Sequence, residues 1–252
     1  MTPATSDVQT LFNRKARSWQ SKYQPGGKLN SRLEEFVERL SELCPPPGNI
    51  LDLGCGTGDI SAAIGRMGYQ VTACDIAENM LEKARSHWIE GPVKWVPLKA
   101  NWDILPFKNG GFDAIVASSV FEYLVDVEGV ARDLSRVLRP DGTLVFSVPN
   151  PCNRTRKVEA WLRSHRLSLT LRWLLCKIPR LRSYLNYLRL SRNRFKGDEW
   201  ESALTTAGFV PFDKEDFSRD RWFDEAQAPL IILAVKKAAA GHPPAFKTDS
   251  FL

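Results

Sequence analysis

The sequence predicts an α/β domain built on a doubly wound, mostly parallel sheet of seven strands. Short apolar runs alternate along the chain with stretches of helical periodicity, which is typical of parallel strands joined by crossover helices. A glycine-rich turn, GCGTG at 54–58, directly follows the first apolar run of this pattern, and sheets of this type bind nucleotides at such a turn. The length of 252 residues suits one such domain with an added cap.

Residues 1–48 are predicted to form an N-terminal helical segment that covers the ligand site. The turn-forming residues 24–27 divide it into two helical pieces. The second piece has one apolar face, formed at helical spacing by Leu33, Phe36, Val37 and Leu40. The run PPPG at 45–48 ends that piece and starts the next element.

Residues 49–150 carry the alternating pattern and are predicted to form the ligand-binding core. Predicted strands cover 49–53, 70–74, 93–97, 112–118 and 143–148. Predicted helices cover 59–67, 77–88 and 127–138. Residues 198–237 are expected to complete the same sheet, with a helix at 198–207 and edge strands at 209–217 and 229–235. Residues 238–252 have little apolar surface to bury and are expected to be a flexible tail.

Residues 151–197 follow the fifth predicted strand and are expected to form a basic helical lid over the site. From Arg154 to Lys196 the chain has 13 Lys or Arg residues and one acid, Glu159, whereas the whole chain has a net charge of +6. The basic character is therefore local, and it belongs to one surface or site rather than to the fold.

The composition argues against several classes of protein. The five cysteines form no CxxC and no ligand-spaced cluster with the three histidines, so neither a disulfide framework nor a metal site is expected. The N-terminus lacks the pattern of a signal peptide, and no apolar run approaches the ~20 residues that span a bilayer. We therefore expect a cytoplasmic protein, with peripheral contact to a membrane through the basic lid as an open alternative.

The glycine turn favours a nucleoside without phosphates as the ligand. Asp75 ends the second predicted strand, where its carboxylate can accept hydrogen bonds from both hydroxyls of a ribose. A dinucleotide site expects a third glycine one position after Gly58, and the sequence has Asp59 there. An acid at the N-terminus of a helix repels a diphosphate bound at that place.

Four landmarks in this order resemble the class I S-adenosylmethionine (SAM)-dependent methyltransferases. They are LDLGCGTG at 51–58, VTACD at 71–75, ILPFKNGGFDAIVASSVFEYL at 104–124 and ARDLSRVLRPDGTLVFSVPN at 131–150. Phe12, Ala16 and Trp19, followed by LNSRL at 29–33, resemble the ubiquinone-biosynthesis O-methyltransferase branch. The resemblance implies a Rossmann-like methyltransferase fold, SAM as the cofactor and S-adenosylhomocysteine (SAH) as its product.

The resemblance also implies a set of cofactor-binding residues. They are Arg32, Asp52, Gly54, Cys55, Gly56, Asp75, Ile76, Asn101, Trp102 and Ser118. In this assignment Asp75 holds the ribose and Arg32 meets the methionine carboxylate, for which a guanidinium fork is well suited. Asn101 stands where the family usually has an acid that accepts a hydrogen bond from the adenine amine, and its amide oxygen can accept the same bond.

Candidate residues for the reaction come from the segment after the fourth strand and from the lid. A hydroxyl or ammonium acceptor must lose a proton, which requires a nearby base. The candidates are Glu122, Tyr123 and His165. An anionic small-molecule acceptor is expected to contact Tyr184, Tyr187, Arg189, Arg192 and Arg194.

Several alternatives stay open at this point. Leu167, Leu171, Leu174 and Leu175 lie near one helical face together with Ile178, which would suit an anionic membrane surface. Alternatively, the lid is only a solvated basic face. SSVF at 118–121 replaces the Asn/Asp-Pro-Pro-aromatic motif of nucleic-acid amine methyltransferases, which argues against a nucleic-acid substrate. The sequence predicts methyl transfer to oxygen or nitrogen of a small, anionic or lipid- or carrier-linked acceptor. An NAD-type oxidoreductase and a non-catalytic SAM-binding module are the alternatives.

Overall fold

The computed structural model describes residues 5–27, 29–88, 91–100, 102, 104–164, 178–211 and 230–238. Within these residues the chain forms a seven-stranded sheet with the strand order β3-β2-β1-β4-β5-β7-β6. The strands are β1 (Asn49–Leu53), β2 (Gln70–Asp75), β3 (Val93–Pro97), β4 (Phe112–Ala117), β5 (Leu138–Pro149), β6 (Phe209–Pro211) and β7 (Leu230–Lys237). The predicted fold class, a mostly parallel seven-stranded sheet, is confirmed.

The direction of the strands places the ligand crevice. β1 to β5 pair in parallel, β7 runs antiparallel to β5, and β6 runs antiparallel to β7. The chain order reverses between β1 and β4, which are neighbours in the sheet. Loops that leave the carboxyl ends of these two strands diverge to opposite faces, and the gap between them is where open α/β sheets bind ligands.

Helices flank the sheet, and further helices cover the carboxyl ends of its strands. They are α1 (Thr5–Trp19), α2 (Asn30–Leu43), α3 (Asp59–Arg66), α4 (Glu78–His87), α5 (Val127–Val137), α6 (Arg154–Ser164), α7 (Pro179–Leu190) and α8 (Gly197–Thr206). Short 3-10 turns occupy Gln20–Lys22 and Phe121–Tyr123. Among the residues described, none of these helices has the length and apolar character needed to cross a bilayer.

The fifth strand is longer than the sequence predicts. The predicted stop at 139–142 is present as a left-handed residue, Asp141, with a φ of 60°. The chain bulges there without leaving the sheet, because β5 pairs with β4 on both sides of it, at Phe112–Leu138 and at Ala114–Thr143. Of the predicted edge strand at 209–217, residues 209–211 form β6, and the rest lies outside the described residues.

Trp200 of α8 fills the core on one face of the sheet, below the turn that follows β4. Its side chain is fully buried. Its ring centroid lies 5.8 Å from that of Phe121, 6.0 Å from that of Phe146 and 4.8 Å from that of Phe195. Aromatic pairs at such separations stabilise a core beyond the burial of their area. Trp200 therefore supports the turn that carries Glu122.

We expect Trp200→Ala to lower the free energy of unfolding by about 3–5 kcal/mol, because it removes a fully buried indole and leaves a cavity. Denaturant unfolding followed by circular dichroism measures this change. Trp161→Ala is the matched control, since that side chain is 55% exposed, and we expect it to change stability by less than about 0.5 kcal/mol. Equal losses in the two variants would contradict the assignment of Trp200 to the core.

Candidate active site

The glycine turn between β1 and α3 lies so close to neighbouring segments that no side chain fits at Gly54. The N–H groups of Gly54 and Cys55 both donate to the carbonyl of Cys74 at the end of β2, at 2.7 and 3.0 Å. Gly54 has a φ of +71°, and a Cβ there would lie 2.4 Å from Cγ2 of Val120. Only glycine combines this backbone angle with so close an approach. The turn therefore lies directly against the segment that follows β4.

Asp75 at the end of β2 presents a carboxylate held by two backbone groups. Its Oδ2 accepts a hydrogen bond from the Gly56 N–H at 2.8 Å, and its Oδ1 accepts one from the Ala77 N–H at 2.7 Å. An ionised carboxylate has about four acceptor positions, so each oxygen can still accept from one ribose hydroxyl. Burial raises the pKa of Asp75 to about 6, although the backbone hydrogen bonds oppose the shift.

Asp52 is a second buried acid on the wall of the same crevice. It is 1% exposed, and its Oδ2 accepts a hydrogen bond from the Ser61 hydroxyl at 2.5 Å. Burial raises the pKa of Asp52 to about 7, and the neighbouring Asp75 raises it further, against the effect of Ser61. A cationic ligand beside these two acids would favour their ionised forms. The crevice therefore fits the positively charged methionine end of SAM.

Arg32 of α2 places a guanidinium at the same end of the crevice. Its Nη1 donates to Oγ of Ser119 at 3.0 Å, and among the described residues it has no carboxylate partner within salt-bridge distance. Burial lowers the pKa of Arg32, yet a guanidinium stays charged in proteins. A buried cation without a counter-charge is costly, so Arg32 fits an arriving carboxylate such as that of methionine.

The N-terminal helix α1 covers the crevice by packing against the glycine turn and the segment after β2. Nε2 of Gln9 donates to the carbonyl of Ile76 at 2.7 Å, and the N–H of Asn79 donates to Oδ1 of Asn13 at 3.1 Å. The indole nitrogen of Trp19 lies 3.4 Å from the place where a Cβ on Gly56 would stand. The predicted segment thus covers the glycine turn and the end of β2 directly.

Aromatic rings and one acid form the other end of the cavity. The ring centroid of Phe12 lies 5.5 Å from that of Trp19 and 5.3 Å from that of Tyr123, both edge to face. Glu122 is 3% exposed, and its Oε2 accepts hydrogen bonds from the Ser191 hydroxyl at 2.5 Å and the Tyr187 hydroxyl at 3.3 Å. This end combines apolar surface with a fixed carboxylate.

Glu159 organises the basic lid from within. Its carboxylate accepts hydrogen bonds from Arg156 at 2.8 Å, from Arg194 at 2.6 Å and from the Tyr184 hydroxyl at 2.8 Å. Arg156 also donates to the hydroxyl of Tyr187. Burial alone would raise the pKa of Glu159, but the two guanidinium groups outweigh it and hold the pKa below its ordinary value. One carboxylate therefore joins two guanidinium groups and a phenol hydroxyl from three places in the lid.

These two ends belong to one cavity of about 530 Å³, a size typical of small-molecule sites. Most of the predicted site residues line it, namely Arg32, Asp52, Gly54, Cys55, Gly56, Asp75, Ile76, Trp102, Ser118, Glu122, Tyr123 and Tyr187. Asn101 and His165 lie outside the described residues. The structure does not bring Tyr184, Arg189, Arg192 and Arg194 to the cavity wall.

Tyr184, Arg189 and Arg194 lie away from the cavity wall because each of them binds another group of the protein. Arg194 donates to Glu159, and Tyr184 donates to the same carboxylate. Arg189 lies 3.3 Å from Asp7 in a half-exposed ion pair between α7 and α1. A count of charges along the chain does not distinguish a cation that is paired internally from one that faces a ligand.

Sequence reasoning missed several polar and aromatic residues of the cavity wall, of which five matter most for its chemistry. They are Lys15, Trp19, Tyr23, Ser119 and Arg156. Ser119 has a φ of 58°, unusual for a residue other than glycine, and no sequence pattern indicates it. For Arg156 a signal was present, because the only acid of the basic segment, Glu159, lies three residues further along one helix face.

The comparisons with known proteins agree with this geometry. Residues 51–146 match a family model described as a methyltransferase domain. The chain is 35% identical over 106 residues to the ubiquinone biosynthesis O-methyltransferase of Xanthomonas campestris, covering 42% of this chain and 44% of that protein. It is 30% identical over 160 residues to the malonyl-[acyl-carrier protein] O-methyltransferase of Legionella pneumophila, covering 62% and 54%. The chain thus spans about half the length of these two relatives.

Solved structures match over a longer stretch. The magnesium protoporphyrin IX methyltransferase of Synechocystis with bound SAH has a TM-score of 0.64 at 16% identity, covering 92% of this chain and 98% of that one. The putative methyltransferase complexed with the Trm112 activator of Haloferax volcanii has a TM-score of 0.62 at 17% identity, covering 90% and 97%. At these identities the likeness shows the fold.

The fold and the crevice at the ends of β1 and β2 define a Rossmann-like domain for a phosphate-free nucleoside cofactor. More narrowly, residues 51–146 match the methyltransferase domain family, in agreement with the sequence landmarks, which resemble SAM-dependent methyltransferases. The residues present fit SAM, because one crevice is lined by a half-buried guanidinium with no carboxylate partner among the described residues, by two buried acids and by a glycine turn.

We expect Asp52→Asn to stabilise the protein without cofactor and to weaken its binding of SAM. The pKa of Asp52 is about 7 in the folded protein, above the ordinary value of about 4. Between these two pH values the folded wild type therefore keeps a proton on Asp52 that the unfolded chain has already lost. The free energy of unfolding of the wild type therefore falls as pH rises through this window. Asparagine keeps the contact with Ser61 and has no proton to lose, so the variant should be more stable by on the order of 2 kcal/mol at pH 8.

Thermal unfolding from pH 5 to pH 8 checks the stability, and calorimetry checks the SAM Kd, which we expect to rise about 10-fold. Glu82→Gln, at an exposed position of α4, is the control and should follow the wild type at every pH. A stability difference that does not change with pH would contradict burial of the Asp52 charge.

Proposed function

We propose that this protein transfers the methyl group of SAM to an oxygen or nitrogen atom of a small acceptor that is anionic or linked to a lipid or carrier. The observation that carries the proposal is the single cavity in which the cofactor crevice continues into an aromatic end lined by cations. SAM supplies an electrophilic methyl group when bound, and the chain supplies alignment and exclusion of water. Two relatives by name methylate on oxygen, one in ubiquinone biosynthesis and one on a carrier protein's malonyl group.

Glu122 is the residue that we assign to remove the proton of the acceptor. Its carboxylate lines the cavity and is held by Ser191 and Tyr187, so its position is fixed before an acceptor enters. Tyr123 is a weaker choice, since burial and the neighbouring Glu122 raise its pKa well above the ordinary value and keep the phenol protonated at neutral pH. In this assignment Tyr123 forms part of the aromatic lining of the cavity, beside Phe12.

The charge at this end supports an anionic acceptor. Lys15 and Arg156 line the wall at this end together with Glu122. Within the residues that the structure describes, the Lys15 ammonium has no hydrogen bond and no ion pair, and it lies beside three aromatic rings. An ammonium in this state can attract an anion and hold it by charge-assisted hydrogen bonds.

The proposal is tested with isotopically labelled SAM and a panel of hydroxylated aromatic acids, amines and carrier-linked carboxylates. We expect SAM and SAH, but not NAD, to raise the melting temperature, and label to appear in at least one anionic acceptor. Stabilisation by NAD instead would favour an oxidoreductase. Binding of SAM without transfer to any acceptor, including those of a cell extract, would favour a binding module.

For the acceptor that is found, we expect Glu122→Gln to lower kcat by at least about 100-fold while the SAH Kd changes less than about 2-fold, because the base acts only on the acceptor. The measurement is initial rates with labelled SAM, alongside calorimetry with SAH. Glu128→Gln is the control, since Glu128 forms only an exposed pair with Arg132 on α5. An unchanged kcat in Glu122→Gln would remove Glu122 from the reaction.

A second candidate role, contact with an anionic membrane, is supported by helix α6. This helix buries the charged residues Arg156 and Glu159 and exposes Val158 and Trp161, which are 57% and 55% exposed. Ile178, just before α7, is 54% exposed. An apolar outer face with tryptophan and neighbouring basic residues is typical of helices that lie on lipid surfaces. Such contact would bring a lipid-linked acceptor to the lid.

We expect the protein to co-sediment with vesicles containing phosphatidylglycerol at low salt, and to be released by high salt because the attraction is screened. The double change Val158→Ser and Trp161→Ser should abolish co-sedimentation. Met67→Ser removes another exposed apolar side chain, 38% exposed and just after α3, and should leave co-sedimentation intact. Wild type that stays in the supernatant at low salt would rule out the membrane role.

A further inference from the structure

We propose that Lys15 of the N-terminal helix, together with Arg156, forms the subsite that binds the anionic group of the acceptor. The ligand class is a carboxylate, sulfonate or phosphate ester carried by an aromatic or apolar body. This inference rests on the proposed function and deepens it, because it moves the recognition of the acceptor's charge from the arginines of residues 189–194 to α1.

The first argument is the set of groups around the Lys15 ammonium. Its Nζ lies 5.5 Å from the ring centroid of Phe12, 5.8 Å from that of Trp19 and 5.7 Å from that of Tyr187. Among the described residues it has no hydrogen bond and no ion pair. Ring faces attract a cation weakly compared with a carboxylate or phosphate. Lys15 therefore retains three N–H donors that the described part of the chain does not satisfy.

Without a ligand, the surroundings of Lys15 make an ammonium with unsatisfied donors energetically unfavourable. Lys15 lines the cavity, and burial lowers its pKa, against a smaller opposing effect of Glu122. A half-buried ammonium is stabilised by an anion at hydrogen-bond distance, and Glu122 is committed to Ser191 and Tyr187. An anion supplied by the acceptor would add a hydrogen-bond acceptor for the ammonium, whereas Glu122 acts on Lys15 through its charge alone.

Arg156 provides the second cation of the subsite. Its guanidinium carbon lies 5.9 Å from the centroid of the Tyr187 ring, the same ring that Lys15 contacts. Arg156 lines the cavity, and its partner Glu159 also binds Arg194. The Tyr187 hydroxyl is hydrogen-bonded to Arg156 and Glu122. These bonds hold the Tyr187 ring in place between α1 and α6. Two cations beside one aromatic wall match an aryl or apolar ligand that ends in an anion.

The test uses the SAH-loaded protein, so that the cofactor end is filled, and calorimetric titration with benzoate, benzenesulfonate and neutral benzamide. We expect the wild type to bind both anions about 10-fold or more tightly than benzamide. Lys15→Met keeps the length of the side chain but removes the charge, and should weaken binding of both anions by about 10- to 100-fold, the range of a charge-assisted hydrogen bond. Its binding of benzamide should change less than about 2-fold.

Two further variants separate charge from structure. Lys15→Arg should keep the preference for anions, because it keeps the positive charge at this position. Arg17→Met removes an exposed cation from the same helix and should leave all three probes unaffected. The SAH Kd of every variant should equal that of the wild type, which shows that α1 still covers the crevice.

The outcomes distinguish this inference from the proposed function. If the wild type does not prefer the anions, or if Lys15→Met binds them as the wild type does, the subsite is wrong while SAH binding stands. If the wild type binds no SAH, the proposed function, on which this inference rests, is wrong. If Lys15→Met loses SAH binding and Lys15→Arg does not restore the anion preference, the role of Lys15 is structural and the inference is overturned.

Discussion

The acceptor end of the site depends on how the segment after α7 is bonded to the turn after β4. The N–H groups of Arg192 and Asn193 both donate to the backbone carbonyl of Glu122, at 2.8 and 3.1 Å. Nδ2 of Asn193 donates to the carbonyls of Phe121 and Leu124, each at 2.8 Å. These bonds reach carbonyls of the 3-10 turn and of the residue after it, which lie outside the sheet. They fix α7, and with it Tyr187, opposite α1.

Glu159 has a related role within the lid. It brings two guanidinium groups of distant chain positions, on α6 and after α7, to one buried carboxylate. Removing such an acid would leave two buried cations unpaired, which is strongly unfavourable. The lid is basic, yet several of its charges are used to hold it in place. The cations that remain for a ligand belong partly to a different segment, the N-terminal helix.

The cofactor crevice and the acceptor end differ in how they are built. The crevice uses backbone N–H groups, a glycine turn and short acids at the ends of adjacent strands, so its shape follows from the sheet. The acceptor end is assembled from α1, the turn after β4 and two lid helices. Loops and helices attached to one sheet can vary with little effect on the fold, which agrees with relatives of different named substrates sharing the domain.

Much of the crevice is determined locally by sequence. Gly54 and Gly58 need left-handed backbone angles, and Asp75 ends a strand whose apolar pattern is plain in the chain, so spacing alone places these residues. The sequence did not show that the stop at Asp141 is a bulge inside a longer strand, because strand pairing is a long-range interaction. Sequence also placed Tyr187 and Glu122 at the site, as neighbours of the fourth strand and members of the lid.

What the sequence by itself determined is the sheet and its glycine turn, since these follow from periodicity and backbone angles within short windows; the class of cofactor followed from the resemblance of its landmarks to a known family. Only the tertiary structure decided which cations face the cavity. Lys15 meets the ring of Tyr187, a residue far along the chain, while Arg194 is drawn inward by Glu159. The partner of a charged side chain depends on which distant elements pack beside it, and composition does not contain that information.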